Sequence, residues 1–190
     1  MKAVDISNFS GVPTIEQAQA LRDVARNVIV GCQDPVIAKQ QVEVCRGACL
    51  GVDLYAQPSL GSNLFDIVGR ADKVALDTGL DKKNSRLWLA FDMTPPSDMS
   101  PDFFIGWLAR FVRLASLLGF NVGIYTSRNK WLDFMGNNSE FYTYPLWYAD
   151  YDGIDNMVGY VGFGGWFIPT IKQYAKNVQI DGFNVDLNVY

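Results

Sequence analysis

The run Val28-Ile29-Val30-Gly31, the stretch Pro35-Val36-Ile37-Ala38-Lys39-Gln40-Gln41-Val42-Glu43-Val44-Cys45, and the run Leu50-Gly51-Val52-Asp53-Leu54 decide the fold between them. The first is β-branched and apolar up to its glycine, as expected of a strand buried on both faces. Proline at the start of the second suits the first turn of a helix. Behind it Val36, Ile37, Gln40, Gln41, Val44 and Cys45 fall on one side at the helical period. The third run is again a short apolar strand. Strand, helix and strand in succession imply two parallel strands joined by a right-handed crossover, with the helix packed outside the sheet.

The same alternation extends in both directions. Upstream, Ala3–Ile6 reads as a strand. Thr14 then opens a helix, with Gln17 completing a capping box and Ile15, Ala18, Leu21 and Val24 forming its apolar side. Downstream, Asn63 caps a helix carrying Leu64, Ile67, Val68, Ala71, Val74 and Ala75, and Leu87–Phe91 is the fourth strand. Ser100-Pro101 begins a long helix closed by Gly119, Val122–Tyr125 is the fifth strand, and Ser127 starts a short helix that stops near Gly136. Beyond Leu146–Ala149 the pattern changes: Gly159–Gly165 is rich in glycine and aromatics, and Phe183–Val189 alternates like a strand. The expectation is an α/β protein, an irregular TIM-like β/α barrel with about five βα units followed by extra strands. A closed barrel is favoured over an open doubly wound sheet, because the terminal strands are also apolar and would be exposed edges. Asp5-Ile6-Ser7-Asn8-Phe9-Ser10-Gly11 is not G-x-G-x-x-G, which weakens the nucleotide-binding version of the open sheet.

The 190 residues suit one domain over 1–190, and 49% hydrophobic against 19% charged residues leaves enough apolar surface for a large core. A net charge of −4 without runs of like charge argues against nucleic acid or an anionic membrane as partner. The most apolar stretch, Phe103–Tyr125, is interrupted by Arg110 and Arg113, so no membrane insertion is expected. There is no histidine, which excludes histidine triads, histidine metal sites and imidazole acid–base chemistry. Cys32, Cys45 and Cys49 form neither a disulfide framework nor a zinc pattern and read as plain buried or half-buried thiols; no metal and no cofactor are expected. Met1-Lys2-Ala3-Val4-Asp5 has no secretory character, so cytoplasmic synthesis with phage-type release or association with a particle is the expectation. The oligomeric state is left open.

Chemistry in such barrels sits at the C-terminal ends of the strands. Those ends supply Asp5, Asp53, Asp92, Asp150 and Asp186, with Gln33 or Asp34 after the second strand and Tyr125-Thr126 after the fifth. Any one aspartate could simply cap the following helix. Asp92 and Asp186, however, follow apolar residues, where an unpartnered charge is costly. Aromatic side chains crowd the same regions: Tyr55, Tyr125, Trp147, Tyr148, Tyr151 and Trp166. Each alone could be core filler, but beside the acids they suit a carbohydrate, whose ring faces stack on aromatics while its hydroxyls bond to carboxylates.

Four segments in order resemble the lysozymes of glycoside hydrolase family 25: Val4-Asp5-Ile6-Ser7-Asn8-Phe9-Ser10-Gly11, Gly123-Ile124-Tyr125-Thr126-Ser127, Pro145-Leu146-Trp147-Tyr148-Ala149-Asp150-Tyr151, and Gln173-Tyr174 followed by Asp181-Gly182 and Val185-Asp186-Leu187-Asn188. The resemblance implies a barrel with fewer than eight outer helices. It also implies cleavage of the β-1,4 bond between N-acetylmuramic acid and N-acetylglucosamine in peptidoglycan, or binding of a related amino-sugar polysaccharide, without metal or cofactor. It carries over Asp5, Asp92 and Asp186 as catalytic acids; beside them Thr94, Tyr55, Tyr125, Trp147, Tyr148 and Asp150 are the residues expected on the substrate. The family's Asp-x-Glu pair reads Asp92-Met93-Thr94 here. Residues i and i+2 of a strand share a side, so threonine stands where the glutamate would face the cleft, and its hydroxyl cannot act as the proton donor. Three readings follow: a glycosidase whose acid has moved, with Asp53 the first candidate and Asp150 the next; a pseudoenzyme that holds glycan without cutting it; or a structural module, for example of a phage particle.

Overall fold

A computed structural model of the chain describes residues 1–59, 61–92 and 99–190. Eight strands form a closed barrel in sequence order: β1 Lys2–Ile6, β2 Asn27–Gly31, β3 Gly51–Ala56, β4 Arg86–Ala90, β5 Asn121–Thr126, β6 Leu146–Ala149, β7 Ile171–Ile180 and β8 Phe183–Val189. Strands β1 to β7 are mutually parallel, and β8 returns antiparallel between β7 and β1. Among the described residues, five α-helices occupy the first five crossovers: α1 Ile15–Val24, α2 Pro35–Gly47, α3 Leu64–Thr78, α4 Pro101–Leu117 and α5 Arg128–Met135. The crossover from β6 to β7, residues 150–170, has no helix. The α/β barrel with five βα units and added strands therefore stands.

The local signals act as their chemistry requires. Thr14 and Gln17 form the reciprocal capping box at α1, Asp34 caps α2 ahead of Pro35, and Gly79 and Gly136 end α3 and α5 in the left-handed conformation. β7 is the element that the sequence pattern does not announce. Its first half is buried and carries Lys172 and Gln173, and its second half leaves the barrel as a hairpin with β8.

Strand alternation divides the core in two. Outward residues such as Val4, Ile6, Leu54, Leu89, Ile124 and Leu146 meet the helices. Inward residues Ala3, Ile29, Trp88, Ala90, Tyr125, Trp147, Ala149 and Ile171, with Tyr55 against them, fill the barrel itself. Trp88 and Trp147 lie edge-on with ring centroids 5.7 Å apart and plug the centre. Gly123 is what lets them fit: a Cβ there would lie 2.5 Å from the Trp88 ring. Cys32 and Cys45 are buried thiols, whereas Cys49 lies beyond the end of α2 and is exposed. Among the described residues, no helix is long and apolar enough to cross a membrane.

Candidate active site

Above the Trp88–Trp147 plug, at the C-terminal mouth of the parallel strands, a pocket of about 130 Å³ is lined by Asp5, Asp92, Asp186, Tyr55, Tyr125, Trp147 and Gln173, among others. Strand alternation aims these residues. In β1 the outward Val4 and Ile6 leave Asp5 pointing in. At the end of β4, Phe91 is clamped outward among Phe104, Trp131 and Phe134, with its N–H donating to the Tyr125 carbonyl at 2.7 Å, and this directs Asp92 to the pocket. Tyr55 has room because the neighbouring strand position is Gly31, where a Cβ would meet the tyrosine oxygen at 2.7 Å.

Asp5 and Asp186 face each other across the β1–β8 pair, and one amide joins them. Gln173 Nε2 donates to Asp5 Oδ2 at 2.7 Å and to Asp186 Oδ2 at 3.2 Å, while Gln173 Oε1 accepts from the Tyr125 hydroxyl at 2.7 Å and the Tyr151 hydroxyl at 2.9 Å. Asn188 Nδ2 also donates to Asp5 Oδ2, at 2.8 Å, and Asn188 Oδ1 accepts from Trp147 Nε1 at 2.8 Å. The indole N–H can only donate, so it fixes which way the Asn188 amide points. The backbone N–H of Asn177 donates to Asp186 Oδ1 at 2.8 Å. The result is a connected polar network beneath an open pocket, in which Asp5 Oδ2 and both Asp186 oxygens meet donors and Gln173 joins the two acids to the two tyrosine hydroxyls.

Burial and the neighbouring charge of Asp186 push Asp5 up to about 7, against the lowering effect of its bonds from Asn188 and Gln173. Asp92 and Asp186 are also raised by desolvation; Lys130 and Lys176 oppose this at Asp92, and the Asn177 N–H and Lys176 oppose it at Asp186. Lys176 also sits 4.5 Å from the centroid of the Tyr151 ring. A carboxyl that holds its proton near neutrality in a cluster of carboxyls is an arrangement that acid–base chemistry uses.

Several expected positions are corrected. Asp53 does not join this mouth. It lines a separate pocket with Met1, Arg26, Asn27, Arg86 and Tyr190, residues at the N-terminal ends of the parallel strands and at the chain end beside them. Its Oδ1 accepts from the Arg86 N–H at 2.8 Å and its Oδ2 from Trp88 Nε1 at 3.2 Å, so it braces the plug from below. The reason is that β3 extends to Ala56, and Tyr55, not Asp53, is its last inward residue. Tyr148 is the second correction. Because Trp147 faces inward, Tyr148 faces outward, with its ring centroid 5.1 Å from Tyr160. Asp150 does not line the pocket either. Trp166 packs outside the barrel against Trp131, at 4.7 Å between centroids. Thr94 lies outside the described residues.

Gln173, Asn188 and Gln57 belong to the site without having been singled out as site residues. Gln173 and Asn188 fall within segments that carry the family likeness, but an amide in a strand has no chemical signature of its own until its partners are known.

A family model described as "Lysozyme-like protein 1" matches residues 17–174. The chain belongs to the lysozyme-like family of glycoside hydrolase family 25. Lysozyme-like protein 5 of Caenorhabditis elegans is 32% identical over 162 residues, covering 80% of this chain and 72% of that protein. "Probable GH family 25 lysozyme 4" of Dictyostelium discoideum is 32% identical over 119 residues, 60% of this chain and 53% of that protein. The chain spans about half or less of the length of the first curated relatives it matches. A muramidase from Acremonium alcalophilum shares the fold with a TM-score of 0.76 at 18% identity, over 100% of this chain and 93% of that one. This lysozyme-like barrel thus keeps the family architecture at low sequence identity.

Proposed function

We propose that this lysozyme-like barrel, read as one domain over residues 1–190, binds the glycan of peptidoglycan or a related amino-sugar polysaccharide and hydrolyses its β-1,4 muramyl bond slowly. The observation that carries the proposal is the convergence of Asp5, Asp92 and Asp186 on one pocket walled by Tyr55, Tyr125 and Trp147. Relatives named as lysozymes and a structural neighbour named as a muramidase support the substrate class.

Glycoside hydrolysis needs one carboxyl that gives a proton and one that stays ionised. Asp5 takes the first role, because burial and Asp186 keep its proton on up to about pH 7. Its Oδ2 already accepts two amide N–H groups, so the proton rides on Oδ1. Asp92 takes the second role; desolvation raises its carboxyl above the ordinary value, and Lys130 and Lys176 partly offset this. Gln173 holds Asp5 and Asp186 in place and is a positioning residue. Tyr55, Tyr125 and Trp147 pack on the sugar. No metal or cofactor enters this scheme.

A second reading, glycan binding without cleavage, draws on the residue two after Asp92. Threonine there has no carboxylic proton to give, and neither Asp53 nor Asp150 lines the pocket to replace it. Loss of a general acid costs ~10²–10⁴ in rate.

Clearing of suspended cell walls by wild type, Asp92→Asn and Thr94→Glu separates the two. Slow clearing by wild type, none by Asp92→Asn and faster clearing by Thr94→Glu is the expected pattern. Folded proteins that never clear the suspension but quench tryptophan fluorescence with glycan leave binding alone. Folded proteins that do neither overturn both readings.

A further inference from the structure

The barrel has a second opening, at the N-terminal ends of the parallel strands. A cavity of about 310 Å³ there is lined by Arg26, Asn27, Asp53, Arg86, Asn121 and Tyr190, among others. It lies on the far side of the Trp88–Trp147 plug from the acidic pocket, and among the described residues the two share no lining side chain. Asn27, Asp53, Arg86 and Asn121 stand two positions before Ile29, Tyr55, Trp88 and Gly123, which face the barrel interior. Strand alternation therefore turns all four toward the barrel axis. Branched apolar side chains ordinarily fill such a layer. Here it is polar.

The layer has donors to spare. Asp53 is its acidic side chain, and both carboxylate oxygens are already taken, Oδ1 by the Arg86 N–H and Oδ2 by Trp88 Nε1. Arg26 and Arg86 have no ion-pair partner among the described residues, where the salt bridges are all made by lysines. The Arg86 guanidinium lies over the Trp88 ring, 4.9 Å from its centroid, and this stacking holds the fork in place. Its Nε is buried and has no acceptor, a costly state for a charged donor. The Tyr190 hydroxyl accepts from Asn27 Nδ2 at 3.2 Å and so has its own proton to give. Two guanidinium groups with a hydroxyl and amides around them are the complement of an oxyanion. The volume admits more than a bare phosphate ion, and the polar walls suit a hydroxylated body behind the charge.

We propose that this cavity binds a small organic anion, a carboxylate or phosphate ester with a polar body, and that Arg26 and Arg86 hold its oxygens. The proposal stands apart from the glycan reading, because the plug separates the two openings and either can fail alone.

Calorimetric titration of glucose 6-phosphate, glucuronate and glucose into wild type, Arg26→Gln and Arg86→Gln tests it, with thermal unfolding to show that each variant is folded. Wild type should bind at least one of the two anions and not glucose, and the preferred anion tells phosphate from carboxylate. Each variant should lose about tenfold or more, the scale of one charge-assisted hydrogen bond. Arg26 is exposed, and its backbone N–H and carbonyl keep their partners Lys2 and Gly51 in Arg26→Gln, so that variant decides the matter if Arg86→Gln disturbs the plug. No binding of either anion at millimolar concentration, glucose bound as tightly as its phosphate, or undiminished affinity in folded Arg26→Gln overturns the site.

Discussion

Replacing Asp5 by asparagine should make the protein more stable above neutral pH while removing activity. Asp5 is 8% exposed, and its environment raises it from the ordinary 3.8 to about 7. The folded state therefore holds a proton that the unfolded chain releases, and the sign follows from linkage. The stability associated with this proton is fully present below pH ~4 and is lost as pH rises through ~7. A shift of roughly three units corresponds to about 4 kcal/mol, the upper limit of what ionising Asp5 costs the fold at pH 8. Asparagine never ionises, and its side-chain oxygen can still accept from Gln173 and Asn188 at the position of Oδ2. Urea unfolding of wild type and Asp5→Asn at pH 4, 6 and 8 reads the difference, because the carboxylates other than Asp186, which faces Asp5, titrate alike in both. The variant should match wild type near pH 4, gain through pH 6, and be more stable by up to about 4 kcal/mol at pH 8. A gain independent of pH, or a loss at pH 8, refutes the argument that burial and Asp186 hold the proton on Asp5.

Other outcomes follow from the same geometry. Gln173→Leu removes the amide that bridges Asp5 and Asp186 and takes the shared acceptor from the Tyr125 and Tyr151 hydroxyls, leaving them only each other at 3.0 Å; it should cost about 1–3 kcal/mol of stability and abolish wall clearing, measured by thermal unfolding and turbidity. Gly123→Ala places a Cβ 2.5 Å from Trp88, so the indole must move; a loss of ~1–3 kcal/mol with a changed tryptophan emission spectrum is expected. Lys172 is buried and donates to Asp152 Oδ2 at 2.6 Å and to the Ile154 and Asn156 carbonyls at 3.3 and 3.2 Å, so Lys172→Met should loosen the segment 152–156 and speed its amide exchange while the barrel strands stay protected.

The sequence by itself determined most of the barrel. Short apolar runs such as Val28–Val30 and Leu87–Phe91, alternating with one-sided helices that carry their own caps, can bury their surface only as parallel strands with helices outside. It also determined that Asp5, Asp92 and Asp186 are the acids to watch, through their place at strand ends in segments like those of family 25. Side-chain direction was legible only where strand ends were. One further inward residue on β3 puts Tyr55 at the mouth and leaves Asp53 beneath Trp88, and the inward turn of Trp147 sends Tyr148 outside. β7 was hidden because Ile171–Ile180 mixes buried polar residues with an exposed hairpin, and neither half shows a clean period of two. Its most informative residue, Gln173, acquires a role only when closure of the barrel brings β7 and β8 beside β1 and sets one amide between Asp5 and Asp186. Hydrophobic pattern is a property of neighbouring residues and can be read along the chain. The protonation of Asp5 is decided by groups 168 and 183 positions away, Gln173 and Asn188, and by Asp186, so it exists only in the closed fold.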